Sequence, residues 1–217
     1  MKDYDIKKYT KRLRKVLDDD RFEHTLGVSY TCAALAMRYE YDLKKAQVAG
    51  LLHDCAKCIP DEKKLQLCIK HNIQMTDVER KTPFLLHAKV GAFLAMNQYK
   101  IKDKEIIQAI INHTTGKPNM SLLDKIVYIA DYIEPQRYKA ANLNVVRKMA
   151  FEDINLALFQ ILKDTLKYLT ENGGDIDPMT QKAFEYYKEE FEHSSDDVIN
   201  YIKKQQEENE LNELLPN

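Results

Sequence analysis

Four histidines and several aspartates of this 217-residue chain stand in apolar stretches, where ionisable side chains are rarely found without a purpose. His53-Asp54 lies in Ala49-Gly50-Leu51-Leu52-His53-Asp54-Cys55-Ala56-Lys57, and His24 in Arg21-Phe22-Glu23-His24-Thr25-Leu26-Gly27-Val28. His87 follows Phe84-Leu85-Leu86, His113 follows Ile110-Ile111-Asn112, and Asp131 sits in Ile126-Val127-Tyr128-Ile129-Ala130-Asp131-Tyr132-Ile133, with Asp124 two turns earlier. A buried carboxylate is costly unless it is paired. Neutral imidazole nitrogens and carboxylate oxygens are good ligands for divalent first-row metals, so the chemistry these residues share is metal binding. Adjacent helical residues diverge by about 100°, so His53 and Asp54 reach one ion only from a helix end. An ion pair between Asp54 and Lys57 is the plainer explanation of that dipeptide alone. Four histidines and two buried acids in such settings point instead to one common site. His71 and His193 have polar neighbours and read as surface residues.

Helices must position these groups. Apolar residues recur at three- and four-residue spacings through 4–17 and 20–39, the second capped from Asp18–Asp20. Asp42 caps a helix over 43–56, and Pro60-Asp61 opens another to 71. Thr82-Pro83 starts one that runs to about 98. Asp103 caps a helix ending near Asn112, and Ser121 caps one that Pro135 stops or kinks. Residues 144–171 read as one long helix ending at Asn172-Gly173-Gly174. Asp177-Pro178 begins the last. The expected fold is all-α, an array of about 9–10 helices.

Composition agrees and excludes several classes. Only 6 Gly and 6 Pro argue against a sandwich or barrel, and 44% hydrophobic residues suffice for a core. Lys+Arg number 33 against 34 Asp+Glu, a net charge of -1, so neither a nucleic acid nor a membrane surface is an expected partner. The first residues are charged without an apolar export segment, and no apolar run approaches the ~20 residues of a membrane span. The chain is expected to be cytoplasmic, with its four cysteines as free thiols. Cys55-x-x-Cys58 has redox or zinc spacing, but Cys32 and Cys68 supply no second such pair.

The order His24 … His53-Asp54 … Asp131 resembles the metal-binding pattern of the HD-domain phosphohydrolase superfamily, with His87 and His113 similar to the added ligands of its two-metal members. The segments around Arg21–Val28 and Leu52–Lys57, with His113-Thr114-Thr115-Gly116 and Ala130-Asp131-Tyr132-Ile133-Glu134-Pro135-x-Arg137, resemble the bacterial YqeK family over about residues 5–190. That resemblance implies an HD-domain helical bundle over 1–193 acting as a di-iron, symmetrical bis(5'-nucleosyl)-tetraphosphatase. Two departures are Cys55, where an aromatic residue is common, and a polar acidic extension over 194–217. The extension is a candidate partner-binding element, and a homodimer stays open.

On this reading His24, His53, Asp54 and Asp131 hold one divalent metal. His87 and His113 hold a second, with Asp54 bridging and central to catalysis. Imidazole and carboxylate donors without thiolate fit ferrous iron or manganese; the iron preference rests on the resemblance. Arg21, Lys57 and Arg137 are candidates for phosphate oxygens, Lys57 also for a catalytic part, though surface ion pairs explain each about as well. Thr114, Thr115 and Gly116 could offer hydroxyls and backbone N–H to phosphate, or simply end a helix. Glu134 could orient a ligand histidine or be solvated. The competing functions are another HD phosphohydrolase, acting on nucleoside monophosphates, (p)ppGpp-like or cyclic nucleotides, and a catalytically silent nucleotide-binding protein.

Overall fold

A computed structural model describes residues 4–140 and 142–192. The extension over 194–217 and His193 lie outside the described residues. Side-chain caps set where the helices start. Asp18 accepts the Arg21 N–H at 2.8 Å, Asp42 that of Lys45 at 3.0 Å, Asp103 that of Glu105 at 3.0 Å and Ser121 that of Asp124 at 3.2 Å. Each such cap contributes about 1 kcal/mol. The helices are α1 (Ile6–Leu13), α2 (Asp19–Arg38), α3 (Leu43–Leu52), α4 (Asp61–Lys70), α5 (Asp77–Lys81), α6 (His87–Asn97), α7 (Lys104–Asn112), α8 (Leu122–Ile133), α9 (Leu143–Glu152), α10 (Ile154–Glu171) and α11 (Pro178–Glu192). A single 3-10 turn, Pro83–Leu86, precedes α6. No strand occurs among the described residues, and none of their helices is long and apolar enough to cross a membrane.

Several boundaries differ from expectation. The first helix, expected over 4–17, ends at Leu13, and the helix expected over 43–56 ends at Leu52, which leaves His53 and Asp54 beyond it. The helix expected from Thr82 to 98 begins as a 3-10 turn, and the α-helix proper starts only at His87. The long helix over 144–171 is two. Asp153 leaves helical geometry at φ -142° and its carboxylate takes the N–H groups of Asn155 and Leu156, restarting the chain as α10. Helix α5 was not anticipated, although Thr76-x-x-Glu79 is a capping box whose two reciprocal bonds both form.

The core is built where α8 packs on α2, α3, α7 and α10. Leu35, Leu51, Leu52, Ile106, Ile110, Ile126 and Ile129 are fully enclosed there, each contributing roughly 1.5–3 kcal/mol. Gly50 lets α2 and α3 meet closely: a Cβ on it would lie 2.6 Å from Cys32 Sγ and 3.1 Å from the Val28 carbonyl oxygen. The helix ends that follow Gly50 on α3 and Ile110 on α7 are thereby fixed against α2 and α8.

Candidate functional site

Three histidines share one local device. His53, just past α3, donates Nδ1–H to the Gly50 carbonyl at 2.6 Å. His87, where the 3-10 turn becomes α6, donates to Phe84 at 2.6 Å, and His113, just past α7, to Ile110 at 2.7 Å. Each carbonyl belongs to the residue three positions earlier, inside the same helical turn. The fourth, His24 in the second turn of α2, has its Nδ1 3.1 Å from Glu134 Oε1 at the end of α8. Carbonyl and carboxylate oxygens only accept, so Nδ1 of each ring carries a proton, and in the neutral imidazole Nε2 is then a lone pair.

The four lone pairs converge on Asp54. Its Oδ1 is 3.2 Å from His87 Nε2 and 3.4 Å from His113 Nε2, while its Oδ2 is 3.4 Å from His53 Nε2 and 4.0 Å from His24 Nε2. Asp131 Oδ1 closes the second half, 3.0 Å from His24 Nε2 and 3.8 Å from His53 Nε2. His53 and Asp54 both reach the cluster because they lie beyond the end of α3, as their adjacency required. Burial pushes the Asp54 carboxyl up, but His53, His113 and His87 outweigh it and hold the group well below its ordinary range. For Asp131, burial is likewise overcome by His24, His53 and Arg137. Burial lowers His87 to about 3, aided by Lys57 and His113. His53 is lowered by burial but raised on balance by the charge of Asp54.

These residues fit a metal centre. His24 Nε2, His53 Nε2 and Asp54 Oδ1 are buried without a hydrogen-bond partner. They are lone pairs turned toward other lone pairs, an arrangement that is unfavourable until a cation lies between them. Two overlapping ligand groups meet the distances that a single ion requires, His24–His53–Asp131 and His53–Asp54–His113. All donors are imidazole or carboxylate, and the four cysteines are free. Cys55 is buried against the Gly91 carbonyl, and Cys58 is exposed beside Asp18.

Cations ring the cluster. Arg21 Nη1 donates to Asp54 Oδ2 at 2.9 Å, and Arg137 Nη2 to Asp131 Oδ1 at 2.9 Å. Lys57 Nζ lies 3.1 Å from His87 Nε2 and 3.8 Å from Asp54 Oδ1, and burial lowers its ammonium pKa. Thr114 Oγ1 is 3.2 Å from both His87 and His113 Nε2. A cavity of ≈ 390 Å³ opens beside these groups, lined among others by Lys57, His113, Asp131, Arg137, Tyr128, Tyr132 and the α10 residues Ile161, Asp164, Thr165 and Tyr168.

Thr115 and Gly116 do not join this cavity. Gly116 takes φ +66° and gives its N–H to the Asn112 carbonyl, ending α7 and turning the chain away, while Thr115 bonds the Gly116 carbonyl. Asp124 is spent on the α8 capping box and accepts from Asn112. Glu134 is buried and oriented toward His24, the first of its two expected roles, and Gly27 makes room for it. The α10 lining was missed in the sequence, although 161, 164, 165 and 168 lie on one helical face. His71 is exposed at the end of α4, with its ring on Phe93.

The HD domain family matches residues 21–136. The chain is 38% identical over 168 residues to the symmetrical bis(5'-nucleosyl)-tetraphosphatase of Bacillus subtilis, an alignment covering 77% of this chain and 89% of that protein. It is 31% identical to the protein of the same name from Staphylococcus aureus, covering 88% and 99%. A crystal structure from Clostridium acetobutylicum, described as a predicted HD superfamily hydrolase involved in NAD metabolism, superposes with a TM-score of 0.82 at 41% identity, covering 88% of this chain and 99% of that one. The chain therefore belongs to the HD-domain family of metal-dependent phosphohydrolases, among relatives named symmetrical bis(5'-nucleosyl)-tetraphosphatase.

Proposed function

We propose that the chain hydrolyses diadenosine tetraphosphate and related dinucleoside polyphosphates at their centre, giving two nucleoside diphosphates, and that His24, His53, Asp54, His87, His113 and Asp131 hold two divalent ions. The observation that carries this is the division of Asp54: one carboxylate oxygen faces His87 and His113, the other His53 and His24. A carboxylate placed so is suited to bridge two cations. Ferrous iron is the first candidate and manganese the second, given hard and borderline donors without thiolate. When bound, two such ions would offset phosphate charge and lower the pKa of water at the site.

The chain's own residues supply the rest. Arg21 and Arg137 stand at the two carboxylates with forked donors that suit phosphate oxygens. Lys57 holds its proton within reach of the cluster, and burial makes that proton easier to give to a departing phosphate oxygen. Thr114 supplies a hydroxyl between His87 and His113. Tyr128, Tyr132 and Tyr168 give the cavity flat walls for a nucleobase. Attack at an inner phosphorus, with the bond to the central bridging oxygen breaking, releases two identical halves.

Protein loaded with metal under anaerobic conditions should convert diadenosine tetraphosphate to ADP alone. ATP plus AMP would overturn the position of cleavage, and no turnover with iron, manganese or cobalt would overturn the reading. Asp54→Ala should lose both ions, and His113→Ala mainly one. Full metal retention in both variants would refute the ligand assignment.

A further inference from the structure

A second cavity, ≈ 410 Å³, abuts the cluster. Thr114 lines both cavities. The first reaches His87 and His113, and the second reaches their chain neighbours Ala88 and Asn112. The corner made by the start of α6 and the end of α7 thus has a cavity on each side. The mechanism uses only the first.

The charges in the second cavity are unevenly spent. Glu79 holds Lys89 at 2.6 Å, and Asp177 accepts the Met179 N–H at 2.8 Å and the Thr76 hydroxyl at 3.4 Å. Among the described residues, Lys117 has only a 3.9 Å approach to Asp124 and a 3.4 Å bond to the Asn119 carbonyl. Lys182, on α11, pairs with no acid among the described residues. Two weakly engaged cations therefore face a space whose wall is mixed, with Leu85, Ile111 and Met179 as its apolar part and the Glu79–Lys89 pair, Asp177 and several amides and hydroxyls as its polar part. An apolar stretch of wall beside two weakly held ammonium groups suits a ring system attached to phosphates.

In-line displacement places the leaving group opposite the attacking water. The two halves of a tetraphosphate cut at its centre must then run away from the cluster in different directions. We propose that the second cavity binds the leaving nucleoside 5'-diphosphate half, with Lys117 and Lys182 on its phosphates and Met179 and Ile111 against its base. The proposal rests on the reading of the substrate as a dinucleoside polyphosphate. It makes the protein a carrier of two nucleoside diphosphates per chain at the end of turnover, in two chemically different pockets.

Equilibrium dialysis of the metal-loaded protein with labelled ADP tests it. Wild type should bind two ADP per chain. Lys182→Glu, an exposed substitution, and Met179→Glu should each leave one tight site, while Lys63→Glu, exposed on α4 and lining neither cavity, should keep two. The KM for diadenosine tetraphosphate should rise about tenfold in Lys182→Glu, the cost of one charge-assisted contact, with kcat within about twofold. A single ADP per chain in wild type, or two retained in both cavity variants, would overturn the second site. A wild type that binds two ADP but does not turn over diadenosine tetraphosphate would overturn the proposed reaction instead.

Discussion

Replacing Gly27 by alanine should loosen metal while leaving the helix it sits in stronger. A Cβ at Gly27 would lie 2.5 Å from Glu134 Oε2 and 3.3 Å from Glu134 Cδ. Cβ contacts under 3.0 Å essentially never occur, so the carboxylate must move. Glu134 is 1% exposed and also holds the Gln136 N–H at 2.8 Å, so it has no free direction in which to go. Displacement takes it from His24 Nδ1. Loss of such an orienting partner typically costs 10–100-fold in metal affinity, or about 1.4–2.7 kcal/mol. Glycine to alanine in a helix contributes about 1 kcal/mol in the other direction, toward folding. The two effects separate in a double-mutant cycle. Glu134→Ala alone should lose a comparable 10–100-fold. Adding Gly27→Ala to it should cost nothing further, because the obstructing oxygen is gone. Manganese affinity by competition with a chelator, with thermal melts of the metal-free proteins, reads both quantities. Unchanged affinity in Gly27→Ala, or a double variant that loses the product of the two single losses, would refute the coupling through Glu134.

Chelation of the loaded protein should lower Tm on the order of 10 °C for each ion held at a thousand times its dissociation constant, read by calorimetry with and without chelator. Asp153→Ala should cost about 1 kcal/mol, a Tm fall of about 2–4 °C, because two N–H groups at the start of α10 lose their acceptor. Gly50→Ala should destabilise by about 1–3 kcal/mol, since its methyl meets the Val28 backbone as well as Cys32; an unchanged denaturation midpoint would count against the close α2–α3 approach. A thiol reagent should label one cysteine per native chain, Cys58, and four after denaturation. Burial encloses Cys55 and pushes its thiol up to about 12, so fast native labelling of a second site would contradict the packing around α3.

Much of the candidate site is legible in the sequence because its parts are local. An imidazole or carboxylate in an apolar run is conspicuous, and His53-Asp54 could only serve one centre from a helix end. The same locality explains the capped starts at Asp18, Asp42, Asp103 and Ser121. What escaped depends on distant partners or on competition within a turn. Asp153 looked like one more polar position in a long amphipathic helix, and only its non-helical φ separates α9 from α10. Pro83 was consistent with an ordinary helix start, yet the His87 ring takes the Phe84 carbonyl and the turn stays tight. Asp164 and Tyr168 belong to the cavity only because α10 packs on α8, a contact that no local pattern reports.

The carbonyl bonds of His53, His87 and His113 have a consequence for the order of assembly. Each ring is given its tautomer by its own helical turn, before any distant helix is in place. The donors His87, His113 and Asp54 all precede α8 in the chain. One half of the cluster is therefore ready once α3, α6 and α7 have met. The other half waits for Asp131, and for Glu134 to set His24 across 110 residues. Refolding in the presence of metal should fill the His87–His113 half first, and metal bound there would hold α3, α6 and α7 as a template on which α8 closes.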